Sequence, residues 1–240
     1  MRRFAISLSV IFCTALLSAQ VVVPDEITAE QHHHLLLHND QVRVFAVVLH
    51  STEHFFVRHQ YNFLVVTLQD SEMVMWNEGE SQIFNFRFNQ GDIRFFYGGP
   101  ARGMRNDHTG EYRNITIEFL NPKVTTFGYQ PTIGKWEYGS SAVGPPVDPN
   151  KKFRSTLKLG LADASDVQLL QRDVIEPPDK GTFELLIPVT DLDMTGGSDL
   201  HIRKARGDAW WIGGGRKADL MNTIPDPARF VLVDLKPSQN

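Results

Sequence analysis

Short runs of hydrophobic residues, many alternating with polar ones, dominate the chain from residue 42 to residue 119. The clearest alternation is Phe84-Asn85-Phe86-Arg87-Phe88, whose period of two is typical of a half-buried strand in an antiparallel sheet. Similar runs recur at intervals of roughly 8–12 residues, separated by turn signals. Further strands are predicted at residues 42–49, 57–68, 72–76, 93–97 and 112–119. Because no convincing amphipathic helix interrupts them, the pattern predicts an all-β sandwich or small barrel.

A sixteen-residue stretch, Gly91–Asn106, returns in degenerate form as Gly207–Asn222, 116 residues later. The two copies share five identities without a gap, where roughly one is expected from average residue usage. The same register extends downstream and matches Glu118 with Asp234. The repeat therefore predicts two tandem units of one fold.

The boundary between the units is predicted in a segment rich in Gly, Pro and Ser, residues 128–150, which has the composition of a linker. It separates a first domain, 20–127, from a second domain, 151–240. Matching Val42 with Val167 makes the second copy nine residues shorter than the first. Strands of the second unit are predicted near residues 156–161, 167–175, 182–189, 200–203, 209–212 and 230–235.

The first nineteen residues read as a signal peptide. Arg2 and Arg3 precede a mostly apolar run, and Leu17-Ser18-Ala19 supplies a small-residue cleavage site before Gln20. The apolar run is short for a bilayer span of roughly 20 residues. An exported, periplasmic or secreted protein is therefore predicted, with no membrane association after cleavage. An uncleaved anchor is the alternative.

Charge and cysteine content exclude several kinds of chemistry. The net charge is −4 and 22% of the residues are charged, so the chain has no basic excess that would attract nucleic acid or a membrane surface. The only cysteine, Cys13, lies within the signal segment. The mature chain would therefore have no disulfide and no cysteine chemistry.

Histidines are concentrated in the first unit. The tract His32-His33-His34 lacks a strand or helix spacing that would direct three rings at one centre, so it is predicted to be exposed. His50, His54, His59 and His108 could in principle converge on a metal, but they too are predicted at the surface or the rim.

The repeated stretch and the strand pattern resemble the cupins, in particular the two-domain bicupins, over residues 39–119 and 164–235. The resemblance implies two tandem jelly-roll β-barrels, which we expect to pack sheet to sheet. It also implies a metal held by a His-x-His pair, a nearby carboxylate and a third histidine from the second motif. That second motif is the Gly91–Asn106 stretch, in which Gly91, Gly99 and Asn106 match.

Most of the implied metal ligands are missing from this chain. In the first unit only His59 remains, because Phe63 occupies the acidic position, with Asn62 beside it, and Arg102 occupies the third-histidine position. The corresponding position in the second unit is Ala218. A mononuclear site needs about three protein ligands. No metal and no other cofactor is therefore predicted.

A different binding site is predicted inside the first barrel. If His59 points inward, as the resemblance implies, strand alternation turns Phe63 inward as well, and the same family logic directs Arg102 and Met104 inward. Together with His59 and Asn62, Arg102 could hold a small anion such as a carboxylate. The alternative is that Arg102 reaches the rim or pairs with an acid such as Glu118.

Two functions follow from this site. The first is a metal-free exported bicupin that binds a small ligand or serves as a scaffold. The second is a cupin-type enzyme, either metal-dependent through a rebuilt histidine site or metal-independent with His59 as a general base near its ordinary pKa. No acidic partner for His59 is visible in the sequence, so the enzyme ranks second. The sequence leaves a homodimer open.

Overall fold

A computed structural model of the chain describes residues 25–125, 148, 150–179, 181–197, 200–213 and 218–237. The predicted signal peptide and nearly all of the predicted linker lie outside these residues. The described residues form an all-β fold, as predicted, and contain no helix long and apolar enough to cross a membrane.

The described strands are short, as the turn signals predict. In chain order they are β1 (Asp25–Glu26), β2 (His33–His38), β3 (Val42–Leu49), β4 (His54–Arg58), β5 (Phe63–Thr67), β6 (Ser71–Asn77), β7 (Ile83–Phe88), β8 (Ile93–Phe96), β9 (Ala101–Arg105), β10 (Tyr112–Phe119), β11 (Phe153–Leu159), β12 (Ala162–Leu169), β13 (Val174–Ile175), β14 (Phe183–Pro188), β15 (Leu192–Gly196), β16 (Leu200–Lys204), β17 (Trp210–Ile212), β18 (Leu220–Asn222) and β19 (Ala228–Leu235).

Four sheets form two jelly-roll barrels. The first barrel combines the sheets β1-β4-β9-β6-β7 and β2-β3-β10-β5-β8, and the second combines β11-β12-β19-β14-β17 and β13-β18-β15-β16. Each barrel has its own apolar core, centred on Phe45 and Met73 in the first and on Phe230 and Met194 in the second.

The two barrels pack sheet to sheet, as expected. One face of the β3-β10-β5-β8 region and one face of the β12-β19-β14 region share a single apolar cluster. Ile115 and Ile117 on β10 belong to it, and so do their repeat counterparts Val231 and Val233 on β19. The interface therefore buries the equivalent face of both copies.

The 116-residue register of the repeat is confirmed by β10 and β19, but the nine-residue shortening is wrong. Leu49 pairs with the first residue of β10, and Leu169 pairs with the first residue of β19. Leu169 is therefore the counterpart of Leu49, 120 residues on, and the second copy is shorter by four residues. The pairing of the strands, which the sequence does not show, decides this register.

The predicted long strand over residues 57–68 is two strands in different sheets. β4 ends at Arg58 and β5 begins at Phe63, so the chain crosses from one sheet to the other through residues 59–62. The amide of Gly99 donates to the carbonyl of His59, and the amide of Gly98 donates to Asn62 Oδ1. Long-range hydrogen bonds thus hold a crossing that local hydrophobicity does not reveal.

The first glycine of each repeated stretch has a left-handed backbone and faces the other barrel. Gly91 has φ of 86° and Gly207 has φ of 84°. A Cβ at Gly91 would lie 2.0 Å from Nη2 of Arg229, whose guanidinium is held by Asp166. A Cβ at Gly207 would lie 2.9 Å from Leu68 of the first barrel.

We expect Gly91→Ala to lower the free energy of unfolding by about 2–3 kcal/mol, because it combines an unfavourable positive φ with displacement of the Arg229 guanidinium. Chemical denaturation measures this. Gly79→Ala is the matched control, since Gly79 has φ of 75° and no atom within 4 Å of the added Cβ. We expect Gly79→Ala to lower the free energy of unfolding by about 1 kcal/mol. Equal losses in the two variants would contradict a role for the Arg229 contact.

Candidate functional site

A small cavity lies between the two sheets of the first barrel. Its volume is about 30 Å³, which is room for one or two water molecules. Phenylalanine and methionine side chains form most of the apolar part of its wall. Its polar lining consists of His33, His59, Arg102, Tyr112, Asn114 and Thr116.

His59 enters the cavity from the crossing between β4 and β5. Its ring stacks on Phe63, with ring centroids 3.8 Å apart, and its side chain is buried. Burial, together with the positive charges of His33, Arg102 and Arg43, holds the pKa of His59 well below its ordinary value of 6.5. His59 is therefore neutral at physiological pH, and the expectation of an ordinary pKa is wrong.

His59 has an acidic partner that sequence reasoning missed. Its Nδ1 lies 3.1 Å from Oε1 of Glu118, a fully buried residue of β10. The other carboxylate oxygen of Glu118 lies 2.5 Å from Nη2 of Arg43. Burial raises the pKa of Glu118, and the positive charge of Arg43 opposes that rise. The partners are 59 residues apart in sequence, so only strand pairing brings them together.

Arg102 lies inside the barrel and not at its rim. Nη2 of its guanidinium donates a hydrogen bond to the carbonyl of Tyr97 at 2.8 Å. The guanidinium carbon lies 5.2 Å from the ring centroids of Phe63 and of Phe96. Burial lowers the pKa of Arg102 to about 9, so it remains a cation at neutral pH. The barrel thus holds a positive charge against an aromatic wall.

The predicted exposed histidine tract is wrong for two of its three residues. His32 and His33 are buried and only His34 is exposed. His32 Nδ1 lies 2.5 Å from Oε1 of Glu30, and His33 Nδ1 contacts Oε2 of the same carboxylate. Burial alone would raise the pKa of Glu30, but the hydrogen bonds from His33 and His32 outweigh it and lower the pKa to about 2. Glu30 is therefore ionised.

The structure brings four of the five predicted site residues to one cavity. His59, Phe63, Arg102 and Met104 line it. Asn62 does not: its side-chain amide donates to the carbonyl of Val124, and its Oδ1 accepts from the Gly98 amide. Asn62 fastens the crossing between the sheets.

The remaining histidines of the first unit lie at the surface. His50 pairs with Glu111, and His108 pairs with Glu72, in exposed ion pairs. His54 is also exposed. These three histidines lie at the surface, as predicted, and they do not converge with His59.

The residues of the cavity do not fit the metal that the fold family implies. Within the described ranges, no three His, Cys, Asp or Glu side chains converge. The cationic Arg102 borders the place where a divalent ion would have to lie, and the two nearest histidines each direct Nδ1 at a carboxylate. In the second barrel, the interior is filled by an apolar cluster that includes Leu186 and Phe230.

Comparisons with known proteins agree with this architecture. No protein-family model matches the chain, and no curated protein matches its sequence. Among solved structures, AerE from Microcystis aeruginosa covers 90% of this chain and 98% of its own at 10% identity, with a TM-score of 0.65. The cupin 2 conserved barrel domain protein from Leptotrichia buccalis covers 90% of this chain and 92% of its own at 9% identity, with a TM-score of 0.56.

The same fold occurs in enzymes and in proteins of other kinds. Salicylate 1,2-dioxygenase from Pseudoaminobacter salicylatoxidans covers 81% of this chain and 68% of its own at 9% identity, with a TM-score of 0.54. The 11S globulins are also similar. The chain thus has the bicupin fold, two tandem cupin barrels whose metal motifs are degenerate. Identities near 10% establish the fold alone, so the function has to come from the site.

Proposed function

We propose that the first barrel binds a small carboxylate, with Arg102 as its counter-ion. The observation that carries this proposal is the position of Arg102, buried inside an otherwise largely apolar barrel and bordering the cavity beside His59. Charge-assisted hydrogen bonds to a guanidinium are strong in such surroundings because little water competes for them.

The size and walls of the cavity limit the ligand. The resting cavity of about 30 Å³ is smaller than a small carboxylate, so it favours the smallest of these acids, such as acetate, glycolate or pyruvate. Met75 and Met104 are part of the wall, and their flexible thioether side chains can repack to admit a ligand larger than the resting cavity. The second barrel, with its filled interior, would serve as a scaffold. Export of the protein stays a prediction from its first nineteen residues.

We expect Arg102→Met to weaken binding of such acids by about 10- to 100-fold, because the variant keeps an unbranched stem and removes the guanidinium with its charge. Isothermal titration calorimetry with acetate, glycolate and pyruvate measures the change. Arg105→Met is the matched control, since Arg105 lies on the same strand but is exposed and pairs with Asp107. Its affinity should equal that of the wild type.

Thermal unfolding of both variants shows whether the fold is retained. Arg102→Lys keeps the charge and should recover part of the affinity. An absence of heat with every acid in the wild type would leave the scaffold as the better explanation of this protein. Equal affinity in the wild type and in Arg102→Met would place the ligand elsewhere.

A further inference from the structure

Two histidine–glutamate pairs meet at the cavity of the first barrel. His59 is paired with Glu118, and His33 is paired with Glu30. Both histidines line the cavity, and their ring centroids are 5.8 Å apart. A single small ligand can therefore touch both rings, and Arg102 borders the same space.

The carboxylates determine which ring nitrogen can act on a ligand. In each histidine Nδ1 is the atom that contacts the glutamate, so Nε2 is the nitrogen left for a ligand. A histidine oriented by a carboxylate in this way is the usual arrangement of a general acid or base.

The surroundings of the two rings suggest different roles for them. Burial and the positive charges of His33, Arg102 and Arg43 keep His59 neutral before the reaction, which leaves a lone pair on Nε2. The Glu118 carboxylate at Nδ1 would stabilise the imidazolium that forms when Nε2 takes a proton. His33 is bonded through Nδ1 to the ionised carboxylate of Glu30. The two rings thus differ in the charges that surround them, as the members of an acid–base pair do.

We propose that this cavity catalyses keto–enol proton transfer on a small 2-oxo acid, with His59 as the base and His33 as the acid. The proposal rests on the carboxylate binding proposed above. We assign a 2-oxo acid as the substrate class for one chemical reason. Where the residues do not fit a metal, a C–H bond is acidic enough for an imidazole base only if it lies next to a carbonyl group. Arg102 holds the carboxylate.

The step conserves protons, because His59 takes up one proton and His33 releases one. The C–H bond next to the carbonyl breaks and its proton passes to Nε2 of His59. The electron pair forms the C=C bond, while the carbonyl oxygen takes the proton of His33 Nε2. The reverse reaction restores the oxo acid, so no other reactant is consumed.

Protons can exchange with solvent through a chain that starts at His33. Glu30 contacts both His33 and His32, and Nε2 of His32 lies 3.5 Å from Oε2 of Glu53. The Glu53 side chain is 40% exposed. This chain supplies a route by which deuterium from the solvent reaches the buried acid.

The test follows the methyl signal of pyruvate in D₂O by proton NMR with the full chain. We expect the wild type to accelerate loss of the signal over buffer, and His33→Asn and His59→Asn each to lower that rate about 100-fold or more. His54→Asn is the control, since His54 is exposed on the neighbouring strand β4, and it should keep the wild-type rate. His33→Gln and His59→Gln repeat the measurement should an asparagine variant fail to fold.

Calorimetry with oxamate, which resembles pyruvate but has no exchangeable C–H bond, separates catalysis from binding. We expect His33→Asn and His59→Asn to keep most of the oxamate affinity. Arg102-dependent binding of pyruvate without accelerated exchange would overturn the catalytic proposal and leave the proposed binding function standing. Absence of any binding would overturn both.

Discussion

Replacing Glu118 with alanine is expected to lower the free energy of unfolding by about 3–5 kcal/mol. Glu118 is fully buried and is the carboxylate that Arg43 and His59 both contact. Its removal leaves the largely buried guanidinium of Arg43 without this counter-ion, and desolvation of an uncompensated charge is costly. Urea denaturation of the full chain measures the loss.

An exposed ion pair provides the control for Glu118. Nη2 of Arg58 donates to both carboxylate oxygens of Glu78, and the two side chains are 40% and 43% exposed, so Glu78→Ala should cost below about 1 kcal/mol. Replacing Glu118 and Arg43 together with leucine should cost less than Glu118→Ala, because no buried charge is left behind. If the free energy of unfolding of Glu118→Ala lies within about 1 kcal/mol of the wild-type value, the structural role of the Glu118–Arg43 pair is contradicted.

Acidification is expected to destabilise the first barrel through Glu30. Its pKa is about 2 in the folded chain against an ordinary value of 4.5, because His33 and His32 bind the ionised form. The carboxylate therefore contributes stability that is complete above about pH 4.5 and is lost as the pH falls towards 2. The shift from 4.5 to about 2 corresponds to roughly 3 kcal/mol, so we expect a loss of about 2–3 kcal/mol.

Comparison of the wild type with Glu30→Gln isolates this contribution. The wild type should be the more stable protein at pH 6, and the difference should vanish near pH 2, as followed by thermal unfolding. Glu72→Gln, in the exposed pair with His108, should show no such pH-dependent difference. A constant gap between wild type and Glu30→Gln over the whole range would contradict the ionisation of Glu30 in the fold.

The fold was largely predictable because its main signals are local. The alternation at residues 84–88 corresponds to β7, and the repeat register reappears in β10 and β19. The prediction failed at residues 57–68, where one hydrophobic run divides between two sheets. It also failed to detect β2, since the histidines at its start do not look like strand residues.

The candidate site was predictable only where a motif marked it. Arg102 and His59 stand at positions of the cupin motifs, and the structure places both at the cavity. Glu118 carried a weaker signal, a carboxylate between the apolar residues Ile117 and Phe119 near the end of a strand and in register with Asp234. His33 carried no usable signal, because a run of three histidines has the same appearance whether it is exposed or buried.

The sequence by itself determined the class of fold, the number of units and the loss of the metal ligands. These depend on residue type, on spacing along the chain and on the repeat, all of which are readable without coordinates. Only the tertiary structure decided that Glu118 contacts His59, and that the pairs His59–Glu118 and His33–Glu30 meet at one cavity. The physical reason is that the contact of His59 with Glu118 and the approach of His33 to His59 join segments distant in sequence, and the burial that sets the charge of each group exists only once both sheets have packed.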